Sequence, residues 1–576
     1  MWCTFRCAEH LLVRVDADMK SQIKRGLAVS IAALCAVIMM CGPTPVLAAD
    51  EWSPPQNLSA PASVAAYPQI TSSSDGTKLT AIWYRSNGTH NIIQTASSTD
   101  GGTTWTTPQN LSATGHDAFR PQIVSSSNGT TLTAIWEHNS GPGWIVQSAS
   151  STTSGTTWTT PQNLSVAGLN AYNPRIVSNN DGTTLTAVWQ RDNGSHWIIQ
   201  SASSTNGGTT WTTPQDLSAT GQDAFRPQIV SSNDGTTLTA IWERNNGANY
   251  VVQTASSTTS GTTWTTPQNL SVAGANAEVP QISSSSDGTT LTAVWQRDNG
   301  SHSIIQSTSS TTSGTTWTTP QDLSASGRNA NYPQIVSSNE GTTLTAIWRR
   351  NNGSRDIIQT TSSTDGGSTW TTPQDLSGSG QHADSPQIAS SSNGLRLTAI
   401  WFQYDGAHDI IQTASSTDGG TTWTTPTNIS AAGATAVDPR IASNNDGTKV
   451  IAIWQRIDGP NIVIQTSSLR RRFPSETTPP AQIVSLHHAN LDPNGGTCVT
   501  NGIATTTSAR TPFLGYSYIP GAEECTRTGF TFQGWAATTK PDTVIPLPLL
   551  RGWFDGIWRY FIANSYDLTA VWKPTG

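Results

Sequence analysis

Residues 121–165 read Pro121-Gln-Ile-Val-Ser-Ser-Ser-Asn-Gly-Thr-Thr-Leu-Thr-Ala-Ile-Trp136, then Glu-His-Asn-Ser-Gly-Pro-Gly-Trp144-Ile-Val-Gln-Ser-Ala-Ser-Ser, then Thr-Thr-Ser-Gly-Thr-Thr-Trp158-Thr-Thr-Pro-Gln-Asn-Leu-Ser165. The run from Pro121 alternates apolar and polar residues, and Asn128-Gly turns the chain into the apolar run Leu132–Trp136. A Gly/Pro loop leads to a third run at Trp144, and a Ser/Thr/Gly turn leads to a fourth segment opened by Trp158. Four short strands joined by tight turns, with no helical crossover between them, make an antiparallel meander.

This unit recurs. Trp stands at 52, 105, 158, 211, 264, 317, 370 and 423, each 53 residues from the last, and a second series at 83, 136, 189, 242, 295, 348, 401 and 454 keeps the same spacing. A fixed period of this length marks a solenoid, an open array or a propeller. The two ends of the array decide among them. Trp52-Ser-Pro-Pro-Gln-Asn-Leu-Ser holds only the fourth segment of a unit, while the last unit runs through Ile462-Val-Ile-Gln465 and lacks one. Pairing the two removes two exposed sheet edges and closes a ring. The expectation is all-β: an eight-bladed β-propeller of four-stranded antiparallel blades over residues 49–468, closed by its N-terminal strand.

Composition agrees. Of 576 residues only 12% are charged, against about 25% in ordinary globular domains, while 48 Gly and 32 Pro provide turns and 23 Trp provide large apolar side chains. A net charge of −7 disfavours nucleic acid as partner, because phosphate binding needs a basic field. Residues 1–48 read as an upstream extension and a secretory signal peptide. Lys20, Lys24 and Arg25 precede an apolar stretch from Leu27 to Met40, too short to span a bilayer, and Val46-Leu47-Ala48 is a small-residue cleavage site. Glu9, Asp16 and Asp18 make Met1 an unusual start and Met19 the better initiator. Export to the outside of a bacterial cell, secreted or surface-held, is expected. The mature chain then keeps two cysteines, Cys498 and Cys525, which an oxidising compartment pairs; no further ligands stand at zinc spacing.

Between the third and fourth strands stands Ser98-Thr-Asp-Gly-Gly-Thr-Thr-Trp105, with equally complete copies at Ser363–Trp370 and Ser416–Trp423. The segment resembles the Asp-box, or bacterial neuraminidase repeat, of sialidases, sortilin-like receptors and xyloglucanases. Asp100, Asp365 and Asp418 are read as structural: each carboxylate accepts N–H groups within its turn, and Trp105, Trp370 and Trp423 supply an apolar peg. Asn206, Thr153, Thr259 and Thr312 take the place of the acid in the remaining copies and can keep part of the hydrogen bonding. The resemblance implies a sialidase-like propeller. Sialidases hold the carboxylate of an acidic sugar with three arginines and use a Tyr–Glu nucleophile with an Asp acid/base. Phe119-Arg120-Pro121 and Phe225-Arg226-Pro227 match part of that family's Phe-Arg-Ile-Pro element and lack its Ile, so no catalytic residue is carried over.

Arginines recur on the face opposite the Asp-box turns. Arg85, Arg191, Arg244, Arg297, Arg350 and Arg456 stand two residues past the second-strand Trp, while Arg120, Arg226, Arg175 and Arg440 flank the first-strand Pro. Converging guanidinium groups suit a carboxylate, sulfate or phosphate; alternatively they pair with Asp192, Asp298, Glu137 and Glu243 on a solvated rim. Trp144, Trp197 and Tyr250, opening third strands, can stack on sugar rings or cover a neighbouring loop.

Residues 469–480, with three consecutive Arg and then Pro474-Ser-Glu-Thr-Thr-Pro-Pro480, read as a linker. In 481–576 the segments Asn494-Gly-Gly-Thr497, Gly529-Phe-Thr-Phe-Gln-Gly-Trp535 and Leu568-Thr-Ala-Val-Trp572 resemble the internalin-type B repeat (Listeria–Bacteroides repeat), a small β-rich, ubiquitin-like (β-grasp) module of bacterial surface proteins. The leading functional expectation is a monomeric, non-catalytic binder of glycans or other surface ligands, with no metal or other cofactor and no membrane span. The alternatives are a sialidase-like exo-glycosidase acting on acidic sugars and a plain scaffold.

Overall fold

The structure is a computed structural model. It describes residues 51–470 apart from residue 62, and beyond them the backbone of strands between 489 and 574. The expected signal peptide and most of the expected linker lie outside the described residues.

Seven sheets of four strands and one closed by the N-terminus form an eight-bladed propeller. Blade 1 spans 65–110, blade 2 118–163, blade 3 171–216, blade 4 224–269, blade 5 277–322, blade 6 330–375, blade 7 383–428, and blade 8 combines 436–470 with 51–57. In blade 3, Ala171–Ser178 pairs with Leu185–Asp192, which pairs with Trp197–Ser204, which pairs with Gln215–Asp216, all antiparallel. First strands line the axis: each contacts the first strands of both neighbouring blades, and Ala436–Ser443 contacts Ala65–Ser72. The fourth strand is only two residues long, shorter than the segment that Trp158 opens in sequence. Pro161 has no N–H to give the ladder, so pairing begins at Gln162↔Ser148 and Asn163↔Gln147.

Closure follows the terminal complement. Glu51 pairs with Arg470, Trp52 with Leu469, Gln56 with Thr466 and Asn57 with Gln465, and the Leu58 amide donates to the Ile464 carbonyl at 2.8 Å. Leu469 and Arg470, the first residues of the expected linker, are thus part of the third strand of blade 8.

The core is repeated, not single. Each second-strand Trp, such as Trp189, is fully buried. Around Trp189 pack Ala171, Ala187 and Ala202 of its own blade and Ile135, Val146 and Leu164 of the blade before. Small residues on one side and branched residues on the other let adjacent sheets close. Each buried Ile or Val contributes about 1.5–3 kcal/mol. Trp105 packs against the cluster holding Ile453 and Ile464, so the Asp-box indole also belongs to an interface between blades.

The chain divides into two compact units, Met1–Arg472 and Phe473–Gly576. In the second, Ala489–Asp492 runs parallel to Tyr566–Pro574, which pairs antiparallel with Phe530–Ala537. Thr497–Thr500 pairs with Cys525–Thr526 in a register that sets Cys498 opposite Cys525. Among the described residues no helix is long and apolar enough to cross a membrane.

Candidate functional site

Third strands such as Trp144–Ser151 begin at one face and end at the Asp-box turns of the other. Eight extended residues separate the two by roughly 23 Å. The Asp-box carboxylates therefore cannot join a site at the opposite mouth.

Within their turns those carboxylates are fully engaged. Asp100 accepts from the Thr104 amide at 2.9 Å, the Thr104 hydroxyl at 2.6 Å and the Ser98 hydroxyl at 2.8 Å. Asp365 and Asp418 accept from Thr369 and Thr422 in the same way. Thr153 still accepts from the Thr157 amide at 2.9 Å. Trp105, Trp370 and Trp423 each donate through Nε1 to the carbonyl of Gly102, Gly367 and Gly420, at 3.1–3.2 Å. The same Gly carbonyl takes a second bond from the fourth strand of the preceding blade, as in Gln56 to Gly102 at 2.7 Å and Gln374 to Gly420 at 2.7 Å. Thr427 replaces this Gln in blade 7, and blade 8, whose fourth strand comes from Gln56–Asn57, has no such turn to receive it.

The arginines fall into two sets. Arg85, Arg191, Arg244, Arg297, Arg350 and Arg456 stand opposite the first alanine of the inner strand, and most of them reach sideways to the link entering their own blade. Arg85 donates to Ser63 Oγ at 2.6 Å, Arg297 to the Val272 carbonyl at 2.8 Å, Arg350 to that of Ala325 at 3.0 Å and Arg456 to that of Ala431 at 3.4 Å. Arg191 bonds the Val166 carbonyl. These guanidinium groups brace inter-blade links and do not converge on one opening.

The second set surrounds the axis. In all eight inner strands the register slips by one residue ahead of the Pro-Gln or Pro-Arg step, as between Phe119 and Gln122. The residue at the slip has positive φ, 47–55°: Tyr67, Arg120, Asn173, Arg226, Val279, Tyr332, Ser385 and Asp438. A non-glycine residue in this region costs about 1–3 kcal/mol and persists only where surrounding structure holds it. One bulge per blade turns a variable side chain into the mouth of the channel.

Over blades 1–3 the mouth is aromatic. A cavity of about 640 Å³ is lined by Tyr67, Tyr84, Phe119, Trp144 and Tyr172, with Arg120, Glu137, Asn173 and Gln190. The rings form a continuous series: Tyr67 on Tyr84 at 5.6 Å, Tyr84 on Phe119 at 5.0 Å, Phe119 on Trp144 at 5.6 Å, Trp144 on Tyr172 at 6.1 Å, and Tyr172 on Trp197 at 5.6 Å. The start of the Trp144 strand is pinned, because its amide donates to Asn170 Oδ1 at 3.0 Å. Burial pushes the phenols of Tyr84 and Tyr172 up, and for Tyr172 the nearby Glu137 charge adds to it.

One ion pair organises the wall. The Glu137 side chain is 2% exposed and that of Arg120 49%. Arg120 Nη1 reaches both carboxylate oxygens at 3.1 Å, and Glu137 Oε1 accepts the amide of the strained Asn173 of the next blade at 2.8 Å. Burial raises the Glu137 carboxyl, against the pull of the Asn173 amide and Arg120. Arg175, two residues past Asn173, is brought down to about 10 by burial and by Arg440, with Glu137 opposing and Arg120 adding to the fall. Arg120 and Arg175 thus both lie in the field of the buried Glu137, while Arg440, which also acts on Arg175, lies in the field of Asp438. Among the described residues no group of three or more His, Cys, Asp or Glu is placed to hold a metal ion.

Sequence reasoning named Arg120, Arg175, Arg440 and Trp144 but missed Phe119, Tyr67, Tyr84 and Tyr172 as one surface. The signal present was the run of aromatics Phe119, Tyr172 and Phe225 at equivalent positions of blades 2–4, where blade 1 has Ala66 and blades 5–7 carry Glu278, Asn331 and Asp384.

Residues 93–345 match the family described as BNR repeat-like domain. Over that span the propeller is similar to BNR repeats. No curated protein matches the chain. Among solved structures, the chain is similar to a protein of unknown function from Dyadobacter fermentans, at 15% identity over 53% of this chain and 95% of that one, with a TM-score of 0.37. It is also similar to an ulvan lyase, a polysaccharide lyase (8%, 58% and 91%, TM-score 0.40), and to the NanB sialidase from Streptococcus pneumoniae (12%, 73% and 71%, TM-score 0.32). Similarity at this level assigns no chemistry to the chain.

Proposed function

We propose that the protein is a secreted or surface-held bacterial propeller that binds glycans at the channel mouth over blades 1–3 and does not turn them over. The observation that carries this reading is the aromatic cavity with Arg120 in its wall. Aromatic faces take the C–H faces of sugar rings, a pocket of this size buries a saccharide unit, and Arg120 in its wall, with Arg175 in the same field, favours a carboxylated or sulfated sugar. Titration calorimetry with acidic and neutral glycans tests it: binding of acidic glycans, weakened at least tenfold in Tyr172→Ala, supports the reading, and silence across both classes ends it.

A second reading, a sialidase-like exo-glycosidase, is favoured by the nearness of Tyr172 to Glu137. Against it, the Glu137 carboxylate already holds Arg120 and the Asn173 amide, and the Tyr172 phenol is pushed up where a nucleophile needs to ionise. Turnover of a fluorogenic sialoside, abolished by Tyr172→Phe, would establish the enzyme. In the same proposal residues 1–48 direct export, 469–480 link the domains, 481–576 form an internalin-type B-repeat module that adheres to a surface, Cys498 and Cys525 are bonded, and the chain is a monomer.

A further inference from the structure

The repeat has a second, longer period. Asp117-Ala-Phe-Arg-Pro of blade 2 returns unchanged as Asp223-Ala-Phe-Arg-Pro of blade 4. Blades 1, 3, 5 and 7 share a loop ending in His90, His196, His302 and His408, which the other blades lack. Blades 2 and 4 therefore carry the same bulge sequence, and the Arg120 arrangement has a counterpart two blades further round.

That counterpart is built in the same way. Arg226 Nη1 lies 3.0 Å from both oxygens of Glu243, whose side chain is 2% exposed, and Glu243 bonds the amide of Val279 at the next bulge. Phe225 and Tyr250 meet edge to face at 6.2 Å, where Phe119 and Trp144 meet tilted at 5.6 Å. Charge is what differs. Where the first unit has Tyr172 the second has Glu278, and where the first has Arg175 the second has Gln281. Glu278 and Glu243 both act on Arg226, so this unit has two carboxylates for one guanidinium and no surplus positive charge.

Resting on the glycan-binding reading above, we propose that Phe225, Tyr250, Arg226 and Glu278 form a second sugar subsite, for an uncharged sugar ring. The aromatic pair supplies the stacking surface. Glu278 accepts hydroxyl protons and repels an acidic residue, while Arg226, its charge already met, offers N–H donors to neutral oxygens. An oligosaccharide that mixes acidic and neutral residues is then read by two units of opposite preference.

The test is calorimetry on the full chain with two mixed probes, 3′-sialyllactose and a hyaluronan tetrasaccharide, beside the acidic monosaccharides N-acetylneuraminic acid and glucuronic acid. Phe225→Ala/Tyr250→Ala is expected to weaken a mixed probe about tenfold, the equivalent of one stacking contact, and to leave its acidic monosaccharide unchanged. Tyr250→Ala alone, at a half-buried strand start, gives the same direction should the double variant fold poorly. Unchanged binding of both mixed probes, or equal loss of mixed probe and monosaccharide in a folded variant, overturns the second subsite while leaving the first standing. If no probe binds the unsubstituted chain, the glycan-binding reading falls and takes this one with it.

Discussion

The amide of Asn445 donates to the carbonyl of Ser74 at 2.9 Å, and so joins the first turn of blade 8 to that of blade 1. The bond is the last of a series. Ser74 donates to Ser127, Ser127 to Asn180, Asn180 to Asn233, Asn233 to Ser286, Ser286 to Asn339, Asn339 to Ser392 and Ser392 to Asn445, at 2.7–2.9 Å. Eight main-chain hydrogen bonds thus run round the face that carries the Asp-box turns, independently of the strand that closes blade 8. The ring is fastened twice, at its rim by residues 51–57 and near its axis by these turns.

Removing residues 49–60 is therefore expected to destabilise the propeller without unrolling it at once. Urea unfolding should lose its single transition and show an early phase from blade 8, because the Thr466 and Gln465 edge and the half-buried face of Trp454's cluster lose their cover. A variant with an unaltered, single transition would mean that the N-terminal strand contributes nothing to closure.

Three Asp-box turns carry a correctable strain. Ser154, Ser260 and Ser313 have φ of 52–54° where the equivalent Gly101, Gly207, Gly366 and Gly419 have 66–70°. A left-handed non-glycine residue costs about 1–2 kcal/mol, and glycine returns about 0.5–1 kcal/mol of that as chain entropy. Ser154→Gly, Ser260→Gly and Ser313→Gly should each stabilise by about 0.5 kcal/mol, read as an upward shift in the urea midpoint.

The Arg120–Glu137 pair separates stability from binding. Arg120→Ala leaves a buried carboxylate with only the Asn173 amide and should cost about 1–3 kcal/mol. Adding Glu137→Gln removes the charge and should recover part of that loss without recovering affinity for acidic glycans. Recovery of binding in the double variant would show that Arg120 does not itself meet the ligand.

Stability should peak in mild acid. Asp75 is lowered from its usual 3.8 to about 2 by bonds from Ser73 and Thr77; Asp100 is also held at about 2, where bonds from Thr104 and Ser98 outweigh the opposing push of burial. Asp365 is lowered as well, chiefly by Thr369. Carboxyls lowered by folding stabilise above their unfolded value near 3.9 and lose that contribution as pH falls toward 2. Glu137 and Glu243 are raised by burial, so their contribution is complete below an unfolded value near 4.3 and is lost as pH rises through the folded one. The Tm should fall below pH ~4, and decline more gently above it. A Tm that rises from pH ~4 down to ~2 would contradict the aspartate bonding.

In the C-terminal unit the backbone register opposes Cys498 and Cys525. Peptide mapping of protein prepared without reductant should recover one linked pair, and their replacement by Ser should cost roughly 3 kcal/mol in the loop-entropy model.

The periodic Trp residues made the blade count legible, because a buried indole at the same step of every unit fixes the same packing each time. The terminal half-units made closure legible, since a strand lacking a partner and a partner lacking a strand have one economical solution. The arginines misled by proximity in sequence. Arg85 and Tyr84 are neighbours, yet alternation along a strand sends Arg85 to the inter-blade link at Ser63 and Tyr84 to the mouth.

What the sequence determined by itself is thus the repeating, nearest-neighbour part: strands, turns, blade cores and the strand that closes the ring, all set by patterns within one period. Only the tertiary structure decided which variable residues meet. Phe119, Trp144 and Tyr172 come from two blades, and the bulge that turns Arg120 onto Glu137 is a slip of register held by the next blade's Asn173 amide. Contacts of that kind depend on how one sheet is rotated against the next, and no period within a single chain segment encodes it.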